Sequence, residues 1–337
     1  MTRTIILLLL VLILGGGTIW FLSNKEDKKT TLAGWDRDFA VEKVEDIHKI
    51  FLADRYSERV TLERKGDHWT YNEKYRANPN VVENLLDAIG RVQMKYKPPK
   101  NAVEPMIESL ATEGIKVEIY DKNDELIKAY YVGGATADER GTYMIRDGAD
   151  QPYVVHIPSW EGNIRFRYNL RGASWRDKTI FHEDMEDIVS VSVEYPKQRS
   201  RSFRLEKEGG EYKVTPFYDI TQPTNRPYKK GSAEQYLIGF EKPMIAEGFE
   251  NKNPKRDSVI QTIPFSIVRL MTKDSNEVAV RFFPIYQPGD IDPKTNTYLS
   301  SGSIERYYAD VMSEGSFMLV QHRIFQRAFY AYEFFFE

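Results

Sequence analysis

Two stretches of the sequence decide the fold, Val60–Trp69 (VTLERKGDHW) and Phe203–Tyr212 (FRLEKEGGEY). In each, apolar and polar residues alternate up to a glycine-containing turn, and this pattern predicts an antiparallel β-hairpin. The stretches also match each other at a constant offset of 143 residues. The matched pairs are Leu62 with Leu205, Glu63 with Glu206, Gly66 with Gly209 and Trp69 with Tyr212. The sequence therefore predicts one hairpin-containing unit that occurs twice.

The elements that follow recur in the same order in both halves. A helix is predicted with Asn78 as its cap and Pro79 at its first position, and its counterpart covers residues 233–240 with Ser232 as the candidate cap. Two further hairpins are predicted in each half, at residues 117–131 and 143–155 and at residues 268–282 and 308–320. Because alternating strands bury one face, we expect antiparallel sheets with a helix laid on one face.

The predicted fold class is α+β, with an N-terminal transmembrane helix followed by two duplicated antiparallel-sheet-plus-helix units. The predicted boundaries are 1–29 for the membrane anchor and short linker, 30–174 for the first unit and 175–337 for the second unit with its aromatic C-terminal segment. The alternative to duplication is that the two halves resemble each other by chance, because any antiparallel α+β protein has hairpins with glycine turns. The shared order of the elements favours duplication.

The apolar run from Ile5 to Leu22 predicts the membrane anchor, in which Leu14 lies midway and Trp20 lies near one interface. Its 18 residues would span roughly 27 Å as a helix, just enough for the hydrocarbon core. The alternatives are a cleaved signal peptide with its apolar region at 5–14 and a buried helix.

The positive charges that flank this run do not decide its orientation, because Arg3 precedes it and lysines mixed with acids follow it. A small N-terminal flank before one large domain is typical of export. We therefore predict a single-pass protein of the cytoplasmic (inner) membrane with its soluble part on the periplasmic side.

Composition excludes several classes of function. The chain has a formal net charge of −3, which does not favour general nucleic-acid binding. It contains no cysteine, and this excludes disulfides, thiolate metal sites, cysteine nucleophiles and an acylated cysteine.

No motif predicts catalysis, a metal or a cofactor. The five histidines form no H-E-x-x-H motif, and no G-x-S-x-G is present. The acidic clusters at 182–187 and 289–296 lack the ligand spacing of a calcium loop and are interpreted as a linker and a long loop. Gly133-Gly134 is interpreted as a loop between hairpins.

Two surfaces remain as candidates for contacts. If residues 197–204 form a strand, Arg199 and Arg201 share a face and could grip an anion; the alternative is a solvated hairpin face. The C-terminal segment is rich in aromatic residues, and it either packs on the second unit, docks on a partner or contacts the membrane. Its candidate partner surface consists of Tyr330, Tyr332, Phe334, Phe335 and Phe336.

The anchor, the repeated unit, the Gly66–Trp69 element and the segment Leu170–Phe181 resemble the bacterial family called domain of unknown function 4340. The resemblance covers most of residues 30–285. It implies no assigned activity, and it implies genomic association of some members with gliding-type or auxiliary ABC transport systems.

The function predicted from these features is a non-enzymatic, membrane-tethered interaction or scaffold module of the bacterial cell envelope, accessory to an ABC-type transport or gliding-type complex. Its expected partners are the membrane and envelope proteins, and no small-molecule ligand is identified. Two alternatives stay open: a ligand-binding protein that uses a cleft between the repeats, and an envelope hydrolase with an unfamiliar site.

Overall fold

The computed structural model describes residues 34–56, 59–286 and 304–337. It divides into two compact units, Met1–Asp177 and Lys178–Glu337. The predicted anchor residues Ile5, Leu14, Trp20 and Leu22 and the loop 289–296 lie outside the described residues. Among the described residues, no helix is both long enough and apolar enough to cross a membrane.

The first unit contains one antiparallel sheet of nine strands in the order β4-β3-β2-β1-β6-β7-β8-β9-β5. The strands are β1 (Lys49–Ala53), β2 (Arg59–Lys65), β3 (His68–Tyr71), β4 (Tyr75–Arg76), β5 (Gln93–Tyr96), β6 (Ile115–Tyr120), β7 (Leu126–Ala135), β8 (Thr142–Arg146) and β9 (Tyr153–His156). The helices of this unit are α1 (Pro79–Arg91) and α2 (Lys100–Glu113).

Helix α1 forms where the sequence places its start signals. The side chain of Asn78 accepts a hydrogen bond from the backbone amide of Asn80, and Pro79 is the first helical residue. The apolar stripe that includes Val82, Leu85 and Ile89 is buried in the core cluster of this unit. Helix α1 therefore covers one face of the sheet, as the spacing of its apolar residues predicts.

The second unit contains an antiparallel sheet of eight strands in the order β13-β12-β11-β16-β17-β18-β19-β15, and β10 pairs separately with β14. The strands are β10 (Thr179–Phe181), β11 (Ile188–Glu194), β12 (Phe203–Glu208), β13 (Glu211–Pro216), β14 (Met244–Ile245), β15 (Gly248–Phe249), β16 (Ser266–Thr272), β17 (Glu277–Ile285), β18 (Arg306–Val311) and β19 (Ser316–Gln321). The helices are α3 (Ser232–Leu237), α4 (Arg256–Ile260) and α5 (His322–Phe325).

The two sheets repeat one strand order. The series β3-β2-β1-β6-β7-β8-β9-β5 in the first unit corresponds strand by strand to β13-β12-β11-β16-β17-β18-β19-β15 in the second. The same hairpin side chains also meet in both units, since Arg64 lies 5.0 Å from the ring centre of Trp69 and Lys207 lies 5.5 Å from that of Tyr212. The fold is mixed α+β and mainly antiparallel, as predicted.

The structure corrects two local expectations. Gly133 and Gly134 lie inside β7 and not in a loop, because α2 packs so closely on this strand that a side chain at Gly133 would meet Leu110. Ser232 is the first residue of α3, and the cap position belongs to Gly231, whose φ of 82° suits glycine.

Candidate binding cleft

A half-open cleft of about 410 Å³ lies at one end of the β18–β19 hairpin in the second unit. The hairpin register places Arg306 opposite Gln321, and α5 begins at the next residue, His322. The lining consists of Ile304, Glu305, Arg306, Gln321, His322 and Arg323. Strand pairing and the start of a helix thus bring two arginines, a histidine and an amide to one recess.

The imidazole of His322 is held by a buried phenol. Its Nδ1 lies 3.0 Å from the hydroxyl of Tyr307, a residue that is only 1% exposed. Burial raises the pKa of Tyr307 well above its ordinary value, so the phenol keeps its proton at neutral pH. When Tyr307 donates to Nδ1, the imidazole hydrogen sits on Nε2, where it is a hydrogen-bond donor.

The other polar groups at the cleft form a chain of hydrogen bonds centred on Glu247. The Gln321 amide donates to one Glu247 oxygen, and the Nε of Arg306 lies 3.1 Å from the other. Arg323 donates through Nε to the Gln321 amide oxygen at 2.5 Å. The bonds from Gln321 and then from Arg306 lower the pKa of the Glu247 carboxyl, which stays ionised.

Two aromatic rings pack against the imidazole of His322. The imidazole stacks on Phe329 with ring centres 6.3 Å apart, and the ring centre of Tyr307 lies 5.8 Å away. Phe329 in turn meets Tyr307 edge-on at 5.4 Å. These contacts restrict the orientation of the imidazole that lines the cleft.

The two arginines considered as an anion contact do not lie on a strand. Residues Arg199–Arg201 form a 3₁₀ turn between β11 and β12, so the condition for a shared strand face is not met. Arg199 is exposed and lies 5.2 Å from the ring centre of Tyr218. Arg201 lies 5.5 Å from the ring centre of Tyr195 and 3.8 Å from a carboxylate oxygen of Glu333.

The aromatic C-terminal segment packs on its own unit. Phe335 is fully buried and Tyr332 is 6% exposed, while Tyr330, Phe334 and Phe336 are half-buried against the same core cluster. The Phe335 ring lies 4.8 Å from that of Phe203. Of the three alternatives for this segment, the structure shows packing on the second unit, because Tyr332 and Phe335 complete the core that β12 and α3 leave open.

No group of three or more His, Asp or Glu side chains within residues 34–56, 59–286 and 304–337 is arranged to hold a metal ion. In the segment 182–187, residues 185–187 form a 3₁₀ turn that leads into β11. Asp187 is 3.3 Å from Lys273, so at least one of these acids is engaged in an ion pair.

Sequence reasoning missed the cleft. The predicted hairpin at 308–320 could have indicated part of it. Tyr308 pairs with Leu319, and extending this register by two residue pairs places Arg306 opposite Gln321. The role of Glu247 has no such local signal, since it lies 59 residues from Arg306 and 74 from Gln321 in the sequence.

The fold defines an α+β protein with two antiparallel sheets of common strand order. A family model described as "Domain of unknown function (DUF4340)" matches residues 74–257, which is more than half of the chain, and the protein belongs to this family. The match includes Leu170–Phe181 and begins after Gly66–Trp69. The resemblance predicted from the sequence is thereby confirmed. No curated protein and no solved structure matches the chain.

Proposed function

We propose that this protein is a non-enzymatic, membrane-tethered interaction module of the bacterial cell envelope that receives a group of its partner in the cleft beside His322. The observation that carries the proposal is that the polar groups of the cleft are hydrogen-bonded to one another. Arg323, Gln321, Glu247 and Arg306 form one chain, and His322 is bonded to Tyr307. Such a preorganised rim suits recognition, because little side-chain freedom remains to be lost on binding.

The chemistry of the rim indicates what it would accept. Arg306 and Arg323 offer guanidinium donors, and His322 offers an imidazole N–H in the tautomer described above. Glu247 balances part of this positive charge. A carboxylate or another acidic group would match these donors.

The cellular setting is part of the proposal. Residues 5–22 would anchor the chain in the inner membrane, and the two units would lie on the periplasmic side as products of a duplication. The common strand order and the paired Arg64–Trp69 and Lys207–Tyr212 contacts support duplication. The partner would be an envelope protein, such as a component of an ABC-type transport or gliding-type complex.

A small-molecule ligand is the second candidate. The cleft volume of about 410 Å³ falls in the range of known ligand sites. A ligand-binding role and a protein-binding role would use the same residues. The two roles are therefore distinguished by whether a small molecule or another protein is captured together with this protein.

The test is affinity capture of the tagged full chain from detergent-solubilised membranes after crosslinking. We compare the wild type with H322A and R323Q, and with R226Q as a control that removes an exposed arginine elsewhere. We expect both cleft variants to lose a specific crosslinked protein while R226Q retains it. Equal recovery in all four proteins would exclude the cleft as the contact, and recovery of a small molecule alone would favour the second candidate.

A further inference from the structure

The outer face of the second sheet carries a row of two arginines around a serine. Ser192 on β11 pairs in register with Arg204 on β12 and with Arg269 on β16. Its neighbours Val191 and Val193 are fully buried in the core. Because successive side chains of a strand point to opposite faces, Ser192 and the two arginines lie on the face away from that core.

The equivalent row of residues in the first unit contains no arginine. Phe51 on β1 is the equivalent central residue, and it pairs in register with Thr61 and Glu118. Glu118 is balanced locally, since Lys116 is 2.6 Å away and the Tyr120 hydroxyl donates to it at 2.8 Å. In the first unit, the central Phe51 thus lies between the neutral Thr61 and Glu118, whose charge is compensated. In the second unit, the central Ser192 lies between the guanidinium groups of Arg204 and Arg269.

Aromatic rings support the arginines of the second unit from the side. Arg204 lies 4.7 Å from the ring centre of Phe217, and the exposed Arg199 lies 5.2 Å from that of Tyr218. Contacts of this kind fix a guanidinium while its N–H groups stay available for a ligand.

The acids on this face do not cancel the positive charge. Glu194 lies 3.6 Å from Arg269 and also accepts a hydrogen bond of 2.6 Å from the Tyr218 hydroxyl. Glu206, the next outward residue of β12, pairs in register with Lys213, which also lies 3.4 Å from Glu208. The guanidinium groups of Arg199, Arg204 and Arg269 therefore outnumber the two carboxylates of Glu194 and Glu206.

We propose that the Arg204–Ser192–Arg269 row is a binding site for a phosphate-bearing ligand. Each guanidinium can donate two parallel hydrogen bonds to a pair of oxygens, and the serine hydroxyl adds a further donor. A carboxylate has only two oxygens and is saturated by one guanidinium, whereas a phosphate group offers oxygens to both. The strands that carry the arginines are about 10 Å apart across β11, a gap that two extended arginine side chains can bridge around one phosphate.

The same chemistry is available from two sources, a free phosphate compound and the headgroup of an anionic phospholipid. Binding is therefore measured calorimetrically with three probes: inorganic phosphate, pyrophosphate, and dihexanoylphosphatidylglycerol below its micelle concentration. The protein is the full chain in neutral maltoside micelles at low ionic strength, where screening is weak.

We expect saturable binding of at least one probe and a loss of about tenfold or more in affinity in R204Q and in R269Q. The variant S192F is the sharper test, because it keeps every charge and introduces the residue that the first sheet accommodates at Phe51. It should lose affinity to a similar degree with an unchanged thermal unfolding midpoint. The control R226Q should stay within about twofold of the wild type.

Which of the three probes bind identifies the source of the phosphate group. Binding of the lipid alone would assign the site to a phospholipid headgroup, and binding of phosphate or pyrophosphate alone would assign it to a free phosphate compound. The proposal is overturned if none of the probes binds saturably, or if the arginine variants bind as tightly as the wild type. Full affinity in a folded S192F would also overturn it, since the site needs the space above Ser192.

Discussion

The hydroxyl of Tyr195 donates a hydrogen bond of 2.8 Å to the backbone carbonyl of Tyr330. Tyr195 directly follows β11, so this bond ties the C-terminal segment to the second sheet across 135 residues of sequence. The phenol is buried, and burial raises its pKa well above the ordinary value, so it remains a donor at neutral pH. The aromatic C-terminus is therefore a structural part of its unit.

The first prediction concerns the stability that this segment provides. Phe335→Ala should lower the free energy of unfolding by about 3–5 kcal/mol, because it leaves a cavity beside Phe203 and Tyr236. Ile220→Ala is the control, since Ile220 is 77% exposed and its truncation should change stability by less than about 0.5 kcal/mol. Chemical denaturation measures both. Similar stability of the two variants would show that the ring of Phe335 is not part of the core.

The second prediction concerns the close packing of α2 on β7. A Cβ at Gly133 would lie 2.8 Å from Leu110 Cδ2 and 3.2 Å from the carbonyl oxygen of Tyr143. Gly133→Ala should therefore destabilise the protein by about 1–3 kcal/mol. Gly134→Ala is matched to it, because the nearest atom there is Ser109 Oγ at 4.0 Å.

A double variant tests the cause of that effect. If the clash with Leu110 is responsible, G133A combined with L110A should be less destabilised than the sum of the single changes. Additive effects in thermal or chemical unfolding would show that Leu110 is not the obstacle.

The third prediction concerns alkaline pH. Burial, together with a 2.6 Å hydrogen bond to Asp36, raises the pKa of Tyr153 to about 12. Because the folded state favours the protonated phenol, the stabilisation from Tyr153 is complete below its unfolded pKa of about 10 and is lost as the pH rises towards 12. The stability difference between wild type and Y153F should therefore shrink between pH 10 and 12. A constant difference over this interval in urea denaturation would contradict the assignment.

The fourth prediction concerns the proposed anchor. Residues 5–22 should hold the protein in membranes through an alkaline carbonate wash. Leu10→Arg should reduce integration, since a central arginine costs about 2.5–3.5 kcal/mol on insertion scales. Release of the wild type by carbonate, or a mature N-terminus near Thr18, would contradict the anchor.

The sequence predicts the hairpins well because their signals are local. Alternation sets the buried face of each strand, and Gly66 and Gly209 adopt the positive φ values of 62° and 60° that their turns require. The helix that begins at Pro79 is equally local, since its cap and its apolar stripe are contiguous.

Helix α2 has no comparable signal. Only Met106 and Leu110 of its fourteen residues are buried, Pro105 lies inside it, and it follows Pro98-Pro99. A sparse apolar stripe and an internal proline both argue against a helix in a single sequence. Gly133 in β7 is misread for the same reason, because it permits the close contact of this strand with Leu110 of the helix.

The candidate cleft is unpredictable for a different reason. Its central acid, Glu247, lies in the short connection between β14 and β15, and its partners come from β18 and β19. Only the folded sheet brings these residues together. The arginine row is similar, because residues 204 and 269 become neighbours of Ser192 through two separate strand pairings.

The most direct test of the proposed function is photocrosslinking in living cells. The photoreactive residue p-benzoylphenylalanine is placed at position 304, where Ile304 lines the cleft without belonging to its hydrogen-bond chain, and separately at the exposed position 226 as the control. The proposal predicts that position 304 yields a discrete crosslinked envelope protein, that position 226 does not, and that H322A abolishes the product. No protein adduct at position 304, or an identical adduct at both positions, would contradict an interaction module that acts through this cleft.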